Sequence, residues 1–513
     1  MALFKLTKLP TSFLLAILLL GAYIPSLAQN DTTQGKRIQI KNANKGYYQK
    51  ASTRNRLVGD VIFEHEGALM YCDSAWLFSK QNRLQAFNNV KINQGDTLFL
   101  TGNYLEYSGN TKIAVVTGDT VTLTDPKTTL HTDRLLLNRR TSLAYYTTWG
   151  YILSEDNILT SHQGYYGTQS KVFNFKDSVH LINPEYEIES DTLEYDTKSE
   201  ITYFLGPSTI ISDSSFIYCE NGVYNTRTDI AQFEKNAYLY HDNRYMTGDS
   251  LYYERAGEYG EAFENVFVHD TVNESVITGQ YAEVKGEKDS AFVTGNPIFS
   301  QEEEPGDTLH IHGDSLYVIP DPAFRQKQLL QAFNKVRIYK SDLQGSCDSL
   351  TYAKRDSTIR MYVMPVIWND STQITGDTIY MEMAYNKPDS LKVFPNAFMI
   401  SIADSMRTNQ VSGRIMLGKF KNNSLKSVFV NGNGQSLYYP KDEDEGGYVG
   451  MNRSVSSQIF IKFKEGQLHS IGFMSKPQAT LYPIDKIPPD KKDIEGYNPR
   501  FAERPRKKMD ILK

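Results

Sequence analysis

Short runs in which apolar and polar residues alternate fill most of the chain. TGDSLYY at Thr247 and AFENVFV at Ala262 are typical: each is rich in β-branched and aromatic residues, and Gly, Asn, Asp or Pro follows most such runs. This period of two predicts β-strands separated by turns. The alternation lapses only over residues 322–331, where a short helix is expected.

The runs form a repeat of about thirty residues. One phrase places a polar anchor after a small residue, with apolar or aromatic residues two and four places later; a second phrase follows most anchors by about sixteen residues. Self-similarity of this kind is typical of stacked architectures, in which neighbouring repeats bury a shared core. We therefore expect an all-β, elongated body of about twelve repeats, with two short strands in each repeat. The anchors, spaced by 28 to 37 residues, are Asp73, Asn103, Asp133, Gln163, Asp191, Asn221, Asp249, Gln280, Asp314, Asp348, Asp377 and Arg414.

The residues two and four places after each anchor share one face of a strand, and stacking the repeats aligns them in a long apolar stripe. This stripe fits a packed core, and it also fits an open groove between two sheets that takes up something long and apolar. The residues in question are Leu105, Tyr107, Leu193, Tyr195, Leu251, Tyr253, Leu316, Val318, Leu350, Tyr352, Ile379 and Met381.

The first 28 residues are typical of a secretory signal peptide. Lys5 and Lys8 precede an apolar run from Phe13 to Leu20, and the small-residue triplet 26–28 follows. The alternative is an uncleaved N-terminal anchor. Cleavage predicts an exported mature chain that begins near Gln29.

Composition and charge constrain the function less than the repeat does. The 513 residues carry a net charge of -5 and contain three cysteines, so neither nucleic-acid binding nor a disulfide framework is indicated. The last 29 residues hold nine Lys/Arg against six Asp/Glu. We expect this Pro-rich basic tail, residues 485–513, to be flexible; a segment that docks a partner is the alternative.

Catalytic chemistry is not indicated. A carboxylate that recurs in every repeat is expected to support turns, although a polysaccharide-active enzyme with one special Asp pair stays possible. His310 and His312 share a strand face, yet no completing ligand pattern accompanies them. Cys72, Cys219 and Cys347 occupy similar places in the repeat and are expected to be buried packing residues. The sequence thus predicts a non-enzymatic protein with no metal and no cofactor.

The leader and the repeated T-G-D-x-L-x-Y and A-F-x-x-N-V-x-apolar phrases resemble the OstA/LptA family. The likeness covers most of residues 37–484, and residues 428–439 (VFVNGNGQSLYY) resemble the closing segment of larger OstA-like members. It extends to the LptD N-terminal domain but not to the barrel of that translocon, since only the charged tail follows Ile484. The number of repeats suggests two β stretches, 29–300 and 301–484.

The resemblance implies a twisted β-jellyroll in the periplasm, whose groove holds the acyl chains of lipopolysaccharide and passes the lipid toward the outer membrane. It implies other lipopolysaccharide-transport proteins as partners through edge-strand pairing, possible end-to-end self-association and possible association with the outer membrane. The alternative function is that of a β-solenoid spacer or a surface adhesin.

Overall fold

A computed structural model describes residues 36–49, 54–95, 98–154, 156–213, 215–241, 243–272, 274–304, 307–384, 387–442 and 447–513. The expected signal peptide, residues 1–28, lies outside the described residues. All 42 strands assigned in these ranges are connected by antiparallel pairing. No helix in the described ranges is long and apolar enough to cross a membrane.

The strand bounds show a mixture of long and short strands. In chain order the strands are β1 (Gln39–Asn42), β2 (Lys45–Gln49), β3 (Arg54–His65), β4 (Ala68–Phe78), β5 (Arg83–Gln94), β6 (Leu98–Ser108), β7 (Ile113–Asp125), β8 (Thr128–Asn138), β9 (Leu143–Tyr146), β10 (Gly150–Ser154), β11 (Asn157–Ser161), β12 (Gln163–Gly167), β13 (Val172–Asn183), β14 (Tyr186–Asp196), β15 (Ile201–Phe204), β16 (Ser208–Ile211), β17 (Ser215–Cys219), β18 (Asn221–Asn225), β19 (Ile230–Glu234), β20 (Tyr238–His241), β21 (Arg244–Thr247), β22 (Ser250–Glu254), β23 (Tyr259–Asp270), β24 (Ser275–Lys285), β25 (Ser290–Thr294), β26 (Ile298–Glu304), β27 (Asp307–His312), β28 (Ser315–Asp321), β29 (Phe324–Tyr339), β30 (Leu343–Ala353), β31 (Thr358–Tyr362), β32 (Val366–Asn369), β33 (Thr372–Thr375), β34 (Thr378–Ala384), β35 (Lys387–Phe394), β36 (Ala397–Ile402), β37 (Thr408–Gly413), β38 (Ile415–Lys421), β39 (Ser424–Tyr438), β40 (Met451–Lys464), β41 (Gln467–Met474) and β42 (Gln478–Tyr482).

Each long strand is kinked in the middle, so that its two halves belong to different sheets. Residues 83–87 of β5 pair with the C-terminal half of β4, residues 91–94 pair with the N-terminal half of β4, and the register shifts between them. Elsewhere two short strands replace one long strand: β8 pairs with β9 through one half and with β10 through the other. We call the sheet that begins with β2 sheet 1, and the sheet that begins with β1 sheet 2.

We call one long strand, or the pair of short strands that replaces it, a rung. Every rung of the body therefore spans both sheets. Within the described residues, fourteen long strands form one rung each, and the other 28 strands form fourteen more rungs in pairs. Twenty-eight rungs at about 4.8 Å each extend over about 130 Å. The all-β, elongated jellyroll predicted from the sequence is confirmed. Each repeat supplies two rungs, and each rung crosses both sheets.

The polar anchors lie at the kinks. Asn88 and Asn89 adopt left-handed backbone conformations at the kink of β5, with φ of 59° and 48°, which asparagine tolerates better than most residues. The Asn89 side chain donates a 2.9 Å hydrogen bond to the anchor Asp73 on the preceding strand, β4. Asn265 with Asp249 and Asn396 with Asp377 repeat the arrangement. In these three places the anchor aspartate accepts a hydrogen bond from an asparagine side chain at a kink of the neighbouring rung.

Residues 298–339 form two β-hairpins, β26–β27 and β28–β29, where the sequence predicts a domain boundary and a short helix. The expected boundary at residue 301 falls within the β26–β27 hairpin, whose strands pair from Ile298 to Glu304, so hydrogen-bonded rungs run across it. The helix expected over residues 322–331 is wrong: β28 and β29 pair as an extended hairpin as far as Asp321 and Phe324. Backbone pairing outweighs the weaker local alternation in this segment.

The tail is ordered on the body, unlike the flexible segment expected from the sequence. It contains four short 3-10 helices, Ile484–Lys486, Pro489–Lys491, Phe501–Glu503 and Lys508–Leu512. Phe398 and Ile400 of β36 alternate with Met399, which faces the main core, so they lie on the outer face of sheet 2. There they form a second apolar cluster with Ile494 of the tail. Sheet 2 is therefore covered on both faces in its C-terminal half.

Candidate functional site: the groove between the sheets

A cavity of about 620 Å³ opens between the two sheets in the middle of the body. It extends from wall residues near the kinks, such as Phe233 and Met246, to residues at the strand ends, such as Arg255. Its walls are apolar and come from both sheets. Sheet 1 contributes Tyr224, Ala231, Phe233, Tyr253, Gly260 and Val284, and sheet 2 contributes Ile188, Ile210, Ile217, Leu239, Met246 and Val268.

Polar and charged residues form the rim. Arg255 and Glu258 lie at the strand ends of sheet 1, and Ser212, His241 and Arg244 lie at those of sheet 2. The apolar wall residues lie below them, toward the kinks. The site thus has an apolar interior and a charged mouth, an arrangement that suits an amphiphile.

The groove continues on both sides of the wide section as narrower cavities. One, of about 80 Å³, shares Val268 and Val284 with it and runs toward Leu330. The other, of about 50 Å³, shares Tyr186 and Ile188 and runs toward Thr128. Shared wall residues show that the three cavities are sections of one groove.

The sequence-predicted stripe divides into groove walls and closed core. Leu193, Tyr195, Tyr253 and Val318 line the groove. Leu251 and Leu316 lie deeper, toward the kink, and are buried. The remaining six residues are buried beyond the reach of these three cavity sections: Leu105, Tyr107, Leu350, Tyr352, Ile379 and Met381.

A polar cluster closes the groove at its N-terminal end. The Tyr107 hydroxyl lies 2.6 Å from Nδ1 of His65, and Nη1 of Arg139 donates to both the Tyr107 hydroxyl and the His65 carbonyl at 3.0 Å. Arg139 also reaches the Glu66 carbonyl through Nη2 at 3.1 Å, and Lys112 forms a 2.6 Å ion pair with the Glu66 carboxylate. Lys112 and Arg139 belong to turns of sheet 1 and Glu66 to a turn of sheet 2, so the cluster joins the two sheets.

At the C-terminal end, packed side chains and sheet-to-sheet hydrogen bonds replace the cavity. Four methionines, three from sheet 1 and one from sheet 2, belong to the same apolar core with at most 1% exposure: Met361, Met381, Met416 and Met399. The Asn369 side chain, at the edge of sheet 2, donates to the Asn423 carbonyl of sheet 1 at 3.0 Å and accepts from the Leu425 amide, also at 3.0 Å. The flexible methionine side chain fills irregular space well.

Over the wide section, ion pairs cross the mouth. Arg255 of sheet 1 pairs with Glu185 of sheet 2 at 2.7 Å, and Arg244 of sheet 2 pairs with Asp289 of sheet 1 at 3.1 Å. These side chains are between 39% and 65% exposed, so the pairs are hydrated contacts. The Lys171–Asp125 pair also joins the two sheets, nearer the N-terminal end, but its side chains are less exposed.

Burial governs the titration of the groove tyrosines. It raises the pKa of Tyr253, and it raises the pKa of Tyr186 to about 12, so both hydroxyls stay neutral at physiological pH. The Tyr224 hydroxyl donates to Asp229 at 2.7 Å, and burial together with this carboxylate raises its pKa as well. These three wall tyrosines therefore carry no negative charge that would oppose an apolar ligand.

The other chemical candidates lie elsewhere. His310 and His312 sit on the outer face of sheet 2 beneath the tail, and burial lowers the pKa of both. The three cysteines are buried as free thiols, as expected for packing residues. In the ranges that the structure describes, no group of three or more His, Cys, Asp or Glu side chains could hold a metal ion.

Sequence reasoning missed the sheet 2 wall of the groove. Ile188, Met246 and Ile277 each stand three places before an anchor, whereas the predicted stripe used residues two and four places after it. The inward phase slips by one residue at the kink, so a single period of two fails across it. An apolar residue three places before most anchors is the signal that finds this wall.

Comparisons with known proteins agree with this architecture. A scan against family models matches residues 36–191 to the OstA-like protein family and residues 276–387 to the LptA/(LptD N-terminal domain) LPS transport protein family. A search of curated proteins finds no match. Each match reaches the wall of the wide section: Ile188 lies within the first matched stretch and Val284 within the second. Over these two stretches the chain is similar to OstA/LptA-like proteins.

Proposed function

We propose that this protein binds lipopolysaccharide in the periplasm, shelters its acyl chains in the groove and passes the lipid toward the outer membrane. The single observation that carries the proposal is the apolar cavity of about 620 Å³ beneath a charged mouth. Burying apolar surface is favourable by about 25 cal/mol per Å². Acyl chains in the groove gain this energy while a polar headgroup stays in water at the mouth.

The protein acts as a carrier without catalysis in this proposal. The recurring aspartates that first suggest a polysaccharide-active enzyme are engaged at the kinks, as in the Asn265–Asp249 and Asn396–Asp377 pairs. An enzyme would need one carboxylate pair placed at a substrate site. Residues 1–28 direct export in this proposal and are cleaved, and an association with the outer membrane follows from delivery there.

Edge strands provide the contacts with partners. At one end of the described body β1 and β2 pair only with β3, and at the other β41 and β42 pair only with β40. Tyr47 and Tyr48 on β2 are 60% and 68% exposed. An unpaired edge recruits a strand from another chain. We expect other lipopolysaccharide-transport proteins to add at these edges, and end-to-end self-association uses the same edges.

Site-specific photo-crosslinking in cells tests the proposal. Tyr253 lines the groove, whereas its neighbour Tyr252 faces outward and bonds to Glu254. A photoreactive residue at position 253 should form a lipopolysaccharide adduct, and one at position 252 should not. Protein adducts alone, or no adduct at either position, would refute the proposal and favour a spacer or an adhesin.

A further inference from the structure

The groove is wide in the middle of the body, whereas the stripe residues toward either end, such as Leu105 and Leu350, are buried, and this restricts how a ligand reaches it. We infer that the wide section is a closed-ended compartment, which a ligand enters sideways through the mouth and which holds one or two acyl chains at a time. The inference rests on the proposed function. It differs from transport by sliding along a groove that is open from the first rung to the last.

Both ends of the groove are blocked by interactions that are costly to break. At the N-terminal end, the Arg139 guanidinium satisfies the carbonyls of His65 and Glu66 and the buried Tyr107 hydroxyl. Opening this end would leave buried polar groups without partners. At the C-terminal end, an acyl chain would have to displace fully packed side chains such as Met361 and Met399.

The mouth is closed by weaker contacts. The Arg255–Glu185 and Arg244–Asp289 pairs are substantially exposed to water, and exposed ion pairs contribute little to stability. Each pair joins one rim to the other, so breaking both removes two links between the rims of the wide section. Of the two routes into the cavity, the mouth therefore requires the smaller disruption.

The size of the cavity limits its contents. Pockets of roughly 300–1,000 Å³ accommodate a single small ligand, and the wide section, at about 620 Å³, falls within that range. The flanking sections add only about 80 and 50 Å³. The ligand class is thus a single- or double-chain portion of an amphiphile, and the remaining chains of a larger lipid lie outside the compartment.

A reversible lock across the mouth tests the inference. We would replace Glu185, Arg255, Arg244 and Asp289 with cysteine and join the two pairs with a short bis-maleimide that contains a cleavable disulfide. Burial raises the pKa of Cys72 to about 11 and of Cys219 and Cys347 to about 12, so the native thiols should not react at neutral pH. The probe is cis-parinaric acid, a single-chain fluorescent fatty acid.

A matched control crosslinks one rim to itself. Arg227 and Glu200 form a 3.0 Å pair between two turns of sheet 1, so the variant with Arg227→Cys and Glu200→Cys carries a comparable link that does not cross the mouth. We expect the mouth lock to slow probe uptake at least tenfold and to trap probe that was loaded beforehand. Cleaving the linker should restore the rate in the same molecules, and the control link should leave it unchanged.

The outcomes separate the inference from the proposed function. Uptake at the same rate in locked and cleaved protein would show that the ligand enters through the ends, and would overturn the inference while leaving lipid binding intact. Absence of saturable uptake of both cis-parinaric acid and lipid A by the native protein would instead refute the proposed function. Saturable binding of lipid A without binding of the single-chain probe would overturn the stated ligand size.

Discussion

The Gln373 side chain on β33 binds the backbone of the tail at Arg500: its Oε1 accepts the Arg500 N–H at 2.6 Å, while its Nε2 donates to the Asn498 carbonyl at 2.9 Å. Gln410 on β37 binds the tail in the same manner, accepting the Ile494 N–H at 2.8 Å. Two glutamines on the outer face of sheet 2 thus fix the path of the tail. This face would otherwise resemble the solvent-exposed face of the N-terminal half.

Gln373→Leu should loosen the tail. The substitution removes both hydrogen bonds and leaves the partly buried Arg500 N–H without a partner, at a cost of about 1–3 kcal/mol to tail docking. Trypsin should then cleave after Arg500 several times faster, which mass spectrometry of timed samples measures. Gln232→Leu, on an exposed position of β19, is the matched control. Equal cleavage rates in the Gln373 variant and the native protein would contradict the role assigned to this side chain.

A charge in the groove wall should abolish lipid binding. Leu239 lines the wide section, and its neighbour Tyr240 on the same strand faces outward and is 40% exposed. Leu239→Asp places a carboxylate where acyl chains would pack and should weaken lipid A binding at least tenfold. Tyr240→Asp should leave the affinity within a factor of two. Fluorescence titration measures both affinities, and circular dichroism checks that both variants fold; equal affinities would mean that the lipid binds elsewhere.

Substitutions of Leu251 and Tyr253, two neighbours in the predicted stripe, should have different effects: the first mainly on stability and the second mainly on lipid binding. Leu251 is 2% exposed near the kink, so Leu251→Ala should lower the free energy of unfolding by about 2–4 kcal/mol. Tyr253 faces the open cavity, so Tyr253→Ala should lower lipid affinity more than it lowers stability. Urea unfolding and lipid titration of both variants provide the comparison. If both variants lost stability and affinity in equal proportion, the wall at Tyr253 would be ordinary core.

The sequence predicts the local structure well and the long-range structure poorly, for physical reasons. Alternation around anchors such as Asp249 specifies strands because a strand with one buried face needs a period of two. The left-handed residues Glu264 and Asn265 shift that period at the kink of β23, so a single phase cannot describe both halves of the strand. Whether the groove is open or closed at a given rung depends on contacts between residues far apart in sequence, such as Arg139 with His65. The local alternation of apolar and polar residues does not indicate such contacts.

The tail illustrates the same limit. Its prolines and charges are typical of a flexible segment, yet Ile494 packs on Phe398 and the tail backbone pairs with Gln373 and Gln410. The two glutamines lie 84 and 127 residues away in sequence from the backbone amides whose hydrogen bonds they accept. Composition alone cannot indicate that a distant sheet face offers amide side chains to a tail.

The packing of the last tail turn over β27 should weaken in mild acid. His310 lies beneath this turn, with Nδ1 2.8 Å from the Ser300 hydroxyl and its ring stacked on Tyr339, and burial together with the nearby Lys508 ammonium lowers its pKa to about 4. An unfolded histidine has a pKa of about 6.5, so between pH 6.5 and pH 4 the unfolded state binds more protons than the folded state. Stability from the neutral imidazole is therefore complete above pH 6.5 and is lost progressively as the pH falls toward 4.

Hydrogen exchange at the Ile511 amide, corrected for its intrinsic pH dependence, measures the docking of this turn. Protection should be lower at pH 5 than at pH 7, because protonation of His310 favours the undocked state. His310→Asn should flatten this pH dependence. His162→Asn is the control, because His162 is an exposed residue between β11 and β12, and it should leave the pH dependence unchanged. Protection that stays constant from pH 7 to pH 5 in the native protein would show that the imidazole does not control the docking of this turn.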